Sequence, residues 1–308
     1  MYLDITPKKH HTYDCYQNNI IAVLSDYFKI DYRPFFWSGF DFRFVVEQAT
    51  NNITITGYNN YQEQILLKQC GVKINLTNEP CIQGFKQIIL NELNKFNPIG
   101  LRINGSDLPW NYENRNIDYH YLLIIGIDIS ASLLYCCDSF LSNEIQTIDA
   151  YYVYEKTEYM LTYDVSEDYQ ESFSVACDIF FTCVSNNNKK KNNDLIYLIN
   201  SIKSLFEKLI GTDPNNNPII FQLSRICWSR YNFIKSMEYF GDKYNNETFD
   251  HIKNYFGSLI DTWAKLKNMF IKATIIGDTR QLDRYGKEFI NKITESETLI
   301  ENEIKKLN

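Results

Sequence analysis

The sequence predicts an α+β fold followed by an all-helical C-terminal part, and three patterns support this prediction. Over the first 185 residues, segments with helical periodicity alternate with short apolar runs typical of strands. From residue 195 onward, long amphipathic segments of helical period follow one another. Between the two parts, the run NNNKKKNN at residues 186–193 has the composition of a solvated loop. We therefore predict a mixed domain over residues 1–185 and a helical subdomain over residues 195–308.

Local signals define the elements of the mixed domain. CYQNNIIAVLSDYF has an apolar helical stripe and directly follows Asp14, a residue type that caps helix N-termini. A second helix, NYQEQILLKQCGV, is expected to end at Gly71, and a third, GFKQIILNELNKFNP, before Pro98. PIGLRIN, HYLLIIGID and SLLYCCDSF are expected to be strands, and YYVYEKTEYMLTYDV and VACDIFFTCV further strand-rich segments.

The C-terminal subdomain is predicted from four amphipathic segments: DLIYLINSIKSLFEKLIG, IIFQLSRICWSRYNFIKSMEYF, FDHIKNYFGSLIDTWAKLKNMFIKATI and RYGKEFINKITESETLIENEIKKL. The last segment has an apolar stripe made of Phe289, Ile290, Ile293, Leu299, Ile300 and Ile304. Such a stripe can pack inside the subdomain or against a second copy of the chain in a homodimer. We expect the packing to be internal.

Composition and charge exclude several classes of protein. The chain has 308 residues, of which 44% are hydrophobic and 15% aromatic, enough for a large buried core. No run approaches the ~18 apolar residues of a membrane-spanning helix, and MYLDITPKKH lacks the features of a secretion signal. We therefore expect a soluble, cytoplasmic protein without membrane association. Because the net charge is -7 and no basic stripe is present, nucleic-acid binding is disfavoured.

The eight cysteines are expected to be free thiols, because no export signal precedes them. No CxxC pair with a matching His or Cys pair occurs, so we expect no bound metal and no resident cofactor.

Three residues form a candidate catalytic site. Cys15 is expected in the first turn of the helix capped by Asp14, where the helix dipole favours a thiolate and free N–H groups can hold an oxyanion. His120 opens the strand HYLLIIGID, and Asp138 closes the next strand. If a three-residue loop at 128–130 joins these strands, His120 lies directly opposite Asp138, close enough for the carboxylate to orient the imidazole.

Each of these residues also has an ordinary interpretation. A cysteine in a first helical turn is commonly an inert small hydrophobe, and a histidine at a strand edge is commonly a surface or core residue. An aspartate after an apolar strand is commonly a turn residue. Catalysis is favoured over these separate interpretations because the three residues occur in a particular order. Cys15 begins a helix, His120 begins a strand, and Asp138 ends the next strand.

The segments DCYQNNIIAVLSDYF and HYLLIIGIDISASLLYCCDSF resemble papain-like cysteine enzymes, in which a cysteine begins a central helix packed on an antiparallel sheet. Among these enzymes, the two segments resemble the N-terminal domain of the acyltransferase family of butirosin biosynthesis, and the chain is also similar to amide synthetases of closthioamide-type assembly. The resemblance implies a papain-like fold in which Cys15 is the nucleophile, His120 the general base and acid, and Asp138 the orienting residue. The sequence departs from the papain pattern at Lys9, where those proteases carry glutamine, and at Tyr16.

The resemblance implies an enzyme that moves an acyl group from the phosphopantetheine thioester of an acyl or peptidyl carrier protein to an amine acceptor. The phosphopantetheine is then carried by the partner as substrate. The aromatic stretch from Tyr32 to Phe44, with Trp110 and Tyr112, is expected to line the acyl channel, and ordinary core is the alternative. Two other functions remain open: a cysteine peptidase acting on a peptide or leader, and a non-catalytic binding protein.

Overall fold

The computed structural model of the chain describes residues 2–40, 42–46, 53–56, 62–78, 81–112, 117, 119–166, 169, 172–178, 193–198, 200–201, 213 and 217–307. The fold is a mixture of helices and antiparallel strands. The run at 186–193 lies outside the described residues except for its last position, and most of the first predicted C-terminal helix also lies outside them.

The helices, in chain order, are α1 (Cys15–Ile21), α2 (Gln62–Cys70), α3 (Ile82–Asn94), α4 (Ala150–Lys156), α5 (Pro218–Tyr244), α6 (Thr248–Ile276) and α7 (Arg280–Ile304). The strands are β1 (Arg43–Val46), β2 (Ile53–Thr56), β3 (Val72–Thr77), β4 (Ile99–Ile103), β5 (His120–Asp128), β6 (Leu133–Cys137), β7 (Gln146–Asp149) and β8 (Thr157–Val165). Shorter helical turns are the π-helix Ala22–Tyr27, which continues α1, the 3₁₀ helices Arg33–Ser38, Gly105–Asp107 and Lys305–Leu307, and the stretches 173–178 and 193–198.

The chain forms two compact units whose limits differ from the predicted ranges 1–185 and 195–308. The first unit comprises Met1–Tyr32 and Cys70–Gln170, and the second comprises Arg33–Gln69 and Glu171–Asn308. The segment Arg33–Gln69 therefore belongs with the C-terminal helices, because its aromatic side chains find their apolar partners there.

A six-stranded antiparallel sheet is the centre of the first unit, with strand order β3-β8-β4-β5-β6-β7. The apolar run of β5 is buried from Leu122 to Ile127, as expected of a central strand covered on both faces. α1 packs against β5, and α3 packs against β4 and β5. The sheet thus presents the start of β5 to the start of α1.

Two segments predicted to be strand-rich begin with helix, although residues 157–165 of the first segment form β8 as predicted. YYVYEK forms α4 because the Asp149 side chain accepts hydrogen bonds from the backbone N–H groups of Tyr151 and Tyr152, both at 2.9 Å. This cap starts a helix despite the strand propensity of the tyrosines. In VACDIFFTCV, residues 175–178 are helical and the remainder lies outside the described residues.

The second unit is built on α5, α6 and α7. α5 begins at Asn217, whose side chain accepts from the N–H groups of Ile219 and Ile220, and Pro218 occupies its first turn. α6 ends at Gly277, whose φ of 72° is a left-handed conformation typical of a C-terminal cap. Most of the predicted stripe of α7 packs inside this unit, since Ile290, Ile293, Ile300 and Ile304 lie in its core and Phe289 packs against it. Leu299, the remaining member, is exposed. No helix in the described ranges is long and apolar enough to cross a membrane.

Candidate active site

Cys15 is the first residue of α1, as the sequence predicts. The Asp14 carboxylate accepts a hydrogen bond from the Gln17 backbone N–H at 2.9 Å, and the Asp14 N–H donates to the Gln17 side chain at 3.2 Å. This capping box fixes the helix start. The Cys15 side chain is half-buried, and its thiol lies 3.9 Å from the Tyr119 carbonyl oxygen. The thiol therefore sits beside the residue that precedes His120.

Asn18 holds the turn that leads into the helix, a role that the sequence analysis missed. Its Oδ1 accepts from the His10 N–H at 3.3 Å, and its Nδ2 donates to the carbonyls of Tyr13 at 3.2 Å and Asp14 at 3.0 Å. Asn18 is buried, so these bonds replace contacts with water. One polar side chain on the buried face of the predicted helix is the only sequence signal for this role.

His120 is the first residue of β5, where it pairs with Ile103 of β4, and its side chain is fully buried. Its Nε2 lies 2.8 Å from Oδ2 of Asp138, which is also fully buried. Because an ionised carboxylate only accepts hydrogen bonds, Nε2 carries the proton of this contact. The other ring nitrogen, Nδ1, is buried and makes no hydrogen bond of ordinary geometry within the described part of the chain.

The hairpin joining β5 to β6 differs from the predicted one. The loop has four residues, 129–132, because Asp128 still pairs with Leu133, whereas the prediction was a three-residue loop at 128–130. The prediction that His120 lies directly opposite Asp138 is therefore wrong. Ser132, at the end of the loop, adopts a positive φ of 55°, which sequence periodicity does not reveal.

A β-bulge at Ile125 returns the two site residues to the same face of the sheet. The pairing with β6 shifts by one residue between Ile124 and Gly126, so Ile125 is an extra residue in β5. Because side chains alternate between faces, the longer loop alone would have turned His120 and Asp138 to opposite sides. With the bulge, both side chains lie on the same face of the sheet, and Asp138 is the diagonal neighbour of His120 across the two strands. The hydrogen bond can then form.

Four donors surround the Asp138 carboxylate. Its Oδ2 accepts from Trp110 Nε1 at 2.7 Å as well as from His120, and its Oδ1 accepts from the backbone N–H groups of Phe140 at 3.1 Å and Leu141 at 3.0 Å. Burial by itself raises the pKa of Asp138. The hydrogen bond and charge of His120, together with the hydrogen bonds from Trp110 and from the Leu141 backbone, outweigh burial and hold this pKa below its ordinary value. Asp138 is therefore an ionised acceptor inside the unit.

The pKa of His120 is raised from 6.5 to about 10. Burial lowers this pKa, but the hydrogen bond and charge of Asp138 raise it, and the proximity of Cys15 raises it further. The imidazole is thus charged at neutral pH and interacts with the predicted nucleophile and with the predicted orienting residue. The structure brings Cys15, His120 and Asp138 together.

Lys9, six residues before Cys15, lies beside the loop that follows Asp138. The backbone N–H of Lys8 donates to Ser139 Oγ at 3.2 Å, and the Lys9 ammonium lies 5.7 Å from the centre of the Phe140 ring. That ring is in turn 5.9 Å from the His120 ring, between centroids. A cation thus lies near the aromatic ring that packs beside His120.

The aromatic segment predicted to line an acyl channel is core instead. The rings of Phe35, Phe36, Trp37, Phe40 and Phe42 are buried within the second unit. Trp37, for example, stacks on Phe233 and donates its indole N–H to the Ala176 carbonyl at 2.9 Å. The side chain of Phe44 lies outside the described residues, Trp110 is buried against Asp138, and Tyr112 is exposed.

Among the described residues, no group of three His, Cys, Asp or Glu side chains is arranged to hold a metal ion. Comparison with known proteins gives no relative: no family model matches the chain, and no curated protein matches it significantly.

Proposed function

We propose that the protein is a cysteine-dependent acyltransferase that takes an acyl group from a carrier-protein thioester and passes it to an amine. The observation that carries the proposal is the convergence of the Cys15 thiol, the charged His120 imidazole and the buried Asp138 carboxylate. A thiol, a base and an orienting group in this order form the minimal apparatus for covalent acyl transfer. We also propose that the first unit is papain-like, since α1 packs on β5 of an antiparallel sheet.

In the first half-reaction, the proton of the Cys15 thiol already resides on the charged His120 imidazole, and Cys15 Sγ attacks the thioester carbonyl as a thiolate. The bond to the phosphopantetheine sulfur breaks, that sulfur leaves with the proton, and the acyl group stays on Cys15. Nδ1 is the imidazole nitrogen available for this exchange, because Nε2 is held by Asp138. In the second half-reaction an amine attacks the acyl-cysteine, the Cys15 sulfur is released as a thiolate, and the proton lost by the amine stays on His120, which restores the charged imidazole.

Lys9 favours thioester transfer over peptide hydrolysis. A thioester carries a good leaving group, so its transition state requires less stabilisation of the developing oxyanion than that of an amide. The neutral amide donor that the papain pattern supplies before the cysteine is absent from this position. The substitution is therefore compatible with a reaction that depends less on this donor.

The substrate is proposed to arrive on an acyl or peptidyl carrier protein, with its phosphopantetheine arm entering beside α1. Carrier proteins are commonly acidic, and Lys9 and His11 offer exposed basic side chains close to the site. Lys8 is already paired with Asp26 at 2.9 Å. The lysines of the run at 186–193, Lys189–Lys191, lie outside the described residues.

Intact-protein mass spectrometry after incubation with acyl-carrier thioesters tests the proposal. The expected result is a mass gain equal to the acyl group, located on Cys15, discharged by an added amine and absent from Cys15→Ala. Cys81→Ala is the matched control, because Cys81 is an exposed thiol at the start of another helix, α3.

Two other results would replace the proposal. Cleavage of peptides in the absence of any carrier protein, lost in Cys15→Ala, would identify a cysteine peptidase. A Cys15 thiol that forms no adduct and supports no turnover with either substrate class would indicate a non-catalytic binding protein.

A further inference from the structure

Trp110 shares an oxygen atom of Asp138 with His120. The indole Nε1 lies 2.7 Å from Oδ2, and His120 Nε2 lies 2.8 Å from the same atom. Trp110 is 3% exposed, so its hydrogen bond is not exchanged with water. From the sequence, Trp110 is expected to line the acyl channel, which is a different role.

The two backbone N–H groups on Oδ1 and the two side-chain donors on Oδ2 occupy both carboxylate oxygens. An indole can donate but cannot accept, so Trp110 stabilises the ionised form of Asp138 more than the protonated form. A water molecule in the same place could rotate and accept, and would leave the carboxylate free to turn. Trp110 therefore fixes both the charge and the direction of the group that orients His120.

The turn that carries Trp110 is packed directly on the histidine. A Cβ atom added to Gly105 would lie 2.8 Å from the His120 Cβ, so only glycine allows this approach. Within the turn, the Asn111 side chain donates to the Gly105 carbonyl at 3.2 Å, and the Asn111 N–H donates to the Leu108 carbonyl at 3.0 Å. Trp110 thus sits on a turn whose start packs on His120 and whose end, at Asn111, is bonded back to that start.

We propose that Trp110 is a positioning residue of the reaction, acting through Asp138 to keep the His120 imidazole aligned with Cys15. This inference rests on the proposed function. Trp110 does not have to touch substrate in this role.

The test compares Trp110→Phe with Trp263→Phe. Both variants remove an indole from a buried site, but the Trp263 Nε1 makes no hydrogen bond to any described residue. For Trp110→Phe, the expected kcat for thioester consumption falls by about tenfold or more, since a hydrogen bond to a charged group is lost. KM should stay within about twofold, and the Asp138 carboxyl, followed by ¹³C NMR, should titrate at a higher pH than in the wild type. Trp263→Phe should leave all three quantities unchanged.

A second comparison excludes a merely structural role. In an Asp138→Ala background, Trp110→Phe should reduce kcat little further, because the group through which it acts is already gone. An equal loss in both backgrounds, or an unchanged Asp138 titration in Trp110→Phe, would overturn the inference.

The NMR measurement needs no substrate, so it separates this inference from the proposed function. If the protein does not turn over carrier thioesters, a higher Asp138 pKa in Trp110→Phe would still show that Trp110 stabilises the Asp138 carboxylate. The positioning role of Trp110 in catalysis would then be refuted together with the proposed function. Normal Cys15 acylation by Trp110→Phe would remove the positioning role alone.

Discussion

His120 Nε2 is hydrogen-bonded to Oδ2 of Asp138 at 2.8 Å, although the two residues are not directly opposite each other in the pairing of β5 with β6. The contact depends on two offsets that compensate each other. The four-residue loop shifts the pairing of β5 with β6 relative to a three-residue loop, and the bulge at Ile125 shifts it by one residue as well, so that the two side chains share a face of the sheet. The bulge is itself held by the N-terminus, since the Leu3 N–H donates to the Ile125 carbonyl at 2.7 Å. A bulge next to a candidate active site is a common device for aiming a side chain.

The stability of the first unit should depend on pH in a way set by Asp138 and His120. The folded-state pKa of Asp138 is depressed. Its contribution to the unfolding free energy is therefore present above the unfolded pKa of about 3.8 and is lost as the pH falls through the folded pKa. The folded-state pKa of His120 is raised to about 10, so its contribution is complete below about 6.5 and is lost as the pH rises through about 10.

Urea unfolding of the wild type and of Asp138→Asn from pH 3 to pH 10 measures this contribution. The loss of unfolding free energy in Asp138→Asn should be greatest between about pH 4 and pH 6.5, where both groups are charged, and should shrink on either side. A loss that is independent of pH over this range would show that the pair is not ionised in the folded protein.

The two accessible thiols of the described chain should behave differently on substitution. Cys81 caps α3 through its sulfur, which accepts from the Gly84 N–H at 3.4 Å, and serine is a stronger N-cap. Cys81→Ser should therefore keep full activity and gain up to about 0.5 kcal/mol of unfolding free energy. Cys15→Ser should lose more than about a hundredfold in turnover, because the hydroxyl is a much weaker nucleophile. Turnover assays and urea unfolding check both variants, and comparable activity losses would refute the assignment of Cys15.

Four of the other described cysteines, all of them buried, are expected to be slow toward iodoacetamide in the native protein. Burial raises the pKa of the thiols of Cys136, Cys137, Cys177 and Cys227. Peptide mapping after brief alkylation at pH 7 should therefore find label on Cys15 and Cys81 well before these four. Early labelling of Cys136 or Cys137 would mean that the centre of the sheet opens readily.

A buried ion pair should make the second unit sensitive to single substitutions. Arg230 donates to Glu297 at 3.1 Å and to the Gly39 carbonyl at 2.8 Å, and both charged side chains are almost wholly buried. Arg230→Met should cost about 3–5 kcal/mol of unfolding free energy, because it leaves the glutamate charge without its main partner. The double variant Arg230→Met with Glu297→Leu should recover a large part of this loss, and a double-mutant cycle by urea unfolding measures the coupling. Additive losses would show that the pair is not coupled.

Local features of the fold were predictable from the sequence. The cap at Asp14, the start of α1 at Cys15 and the end of α2 before Gly71 depend on neighbours within four residues, and the structure confirms all three. The papain-like fold and the catalytic roles remain predictions from resemblance.

Features set by distant parts of the chain were not predictable. The Ile125 bulge depends on sheet pairing, and the destination of the Trp37 ring depends on Phe233, almost two hundred positions away. The bond from Trp110 to Asp138 joins residues 28 positions apart, with no periodicity to indicate it.

Titration of the His120 imidazole by ¹H–¹⁵N NMR is the most direct test that Cys15, His120 and Asp138 form one unit. In the wild type the pKa should lie far above 6.5, near 10, and it should fall in both Asp138→Asn and Cys15→Ala while staying unchanged in Cys81→Ser. A wild-type His120 that titrates near 6.5, or one that does not respond to Cys15→Ala, would contradict the account.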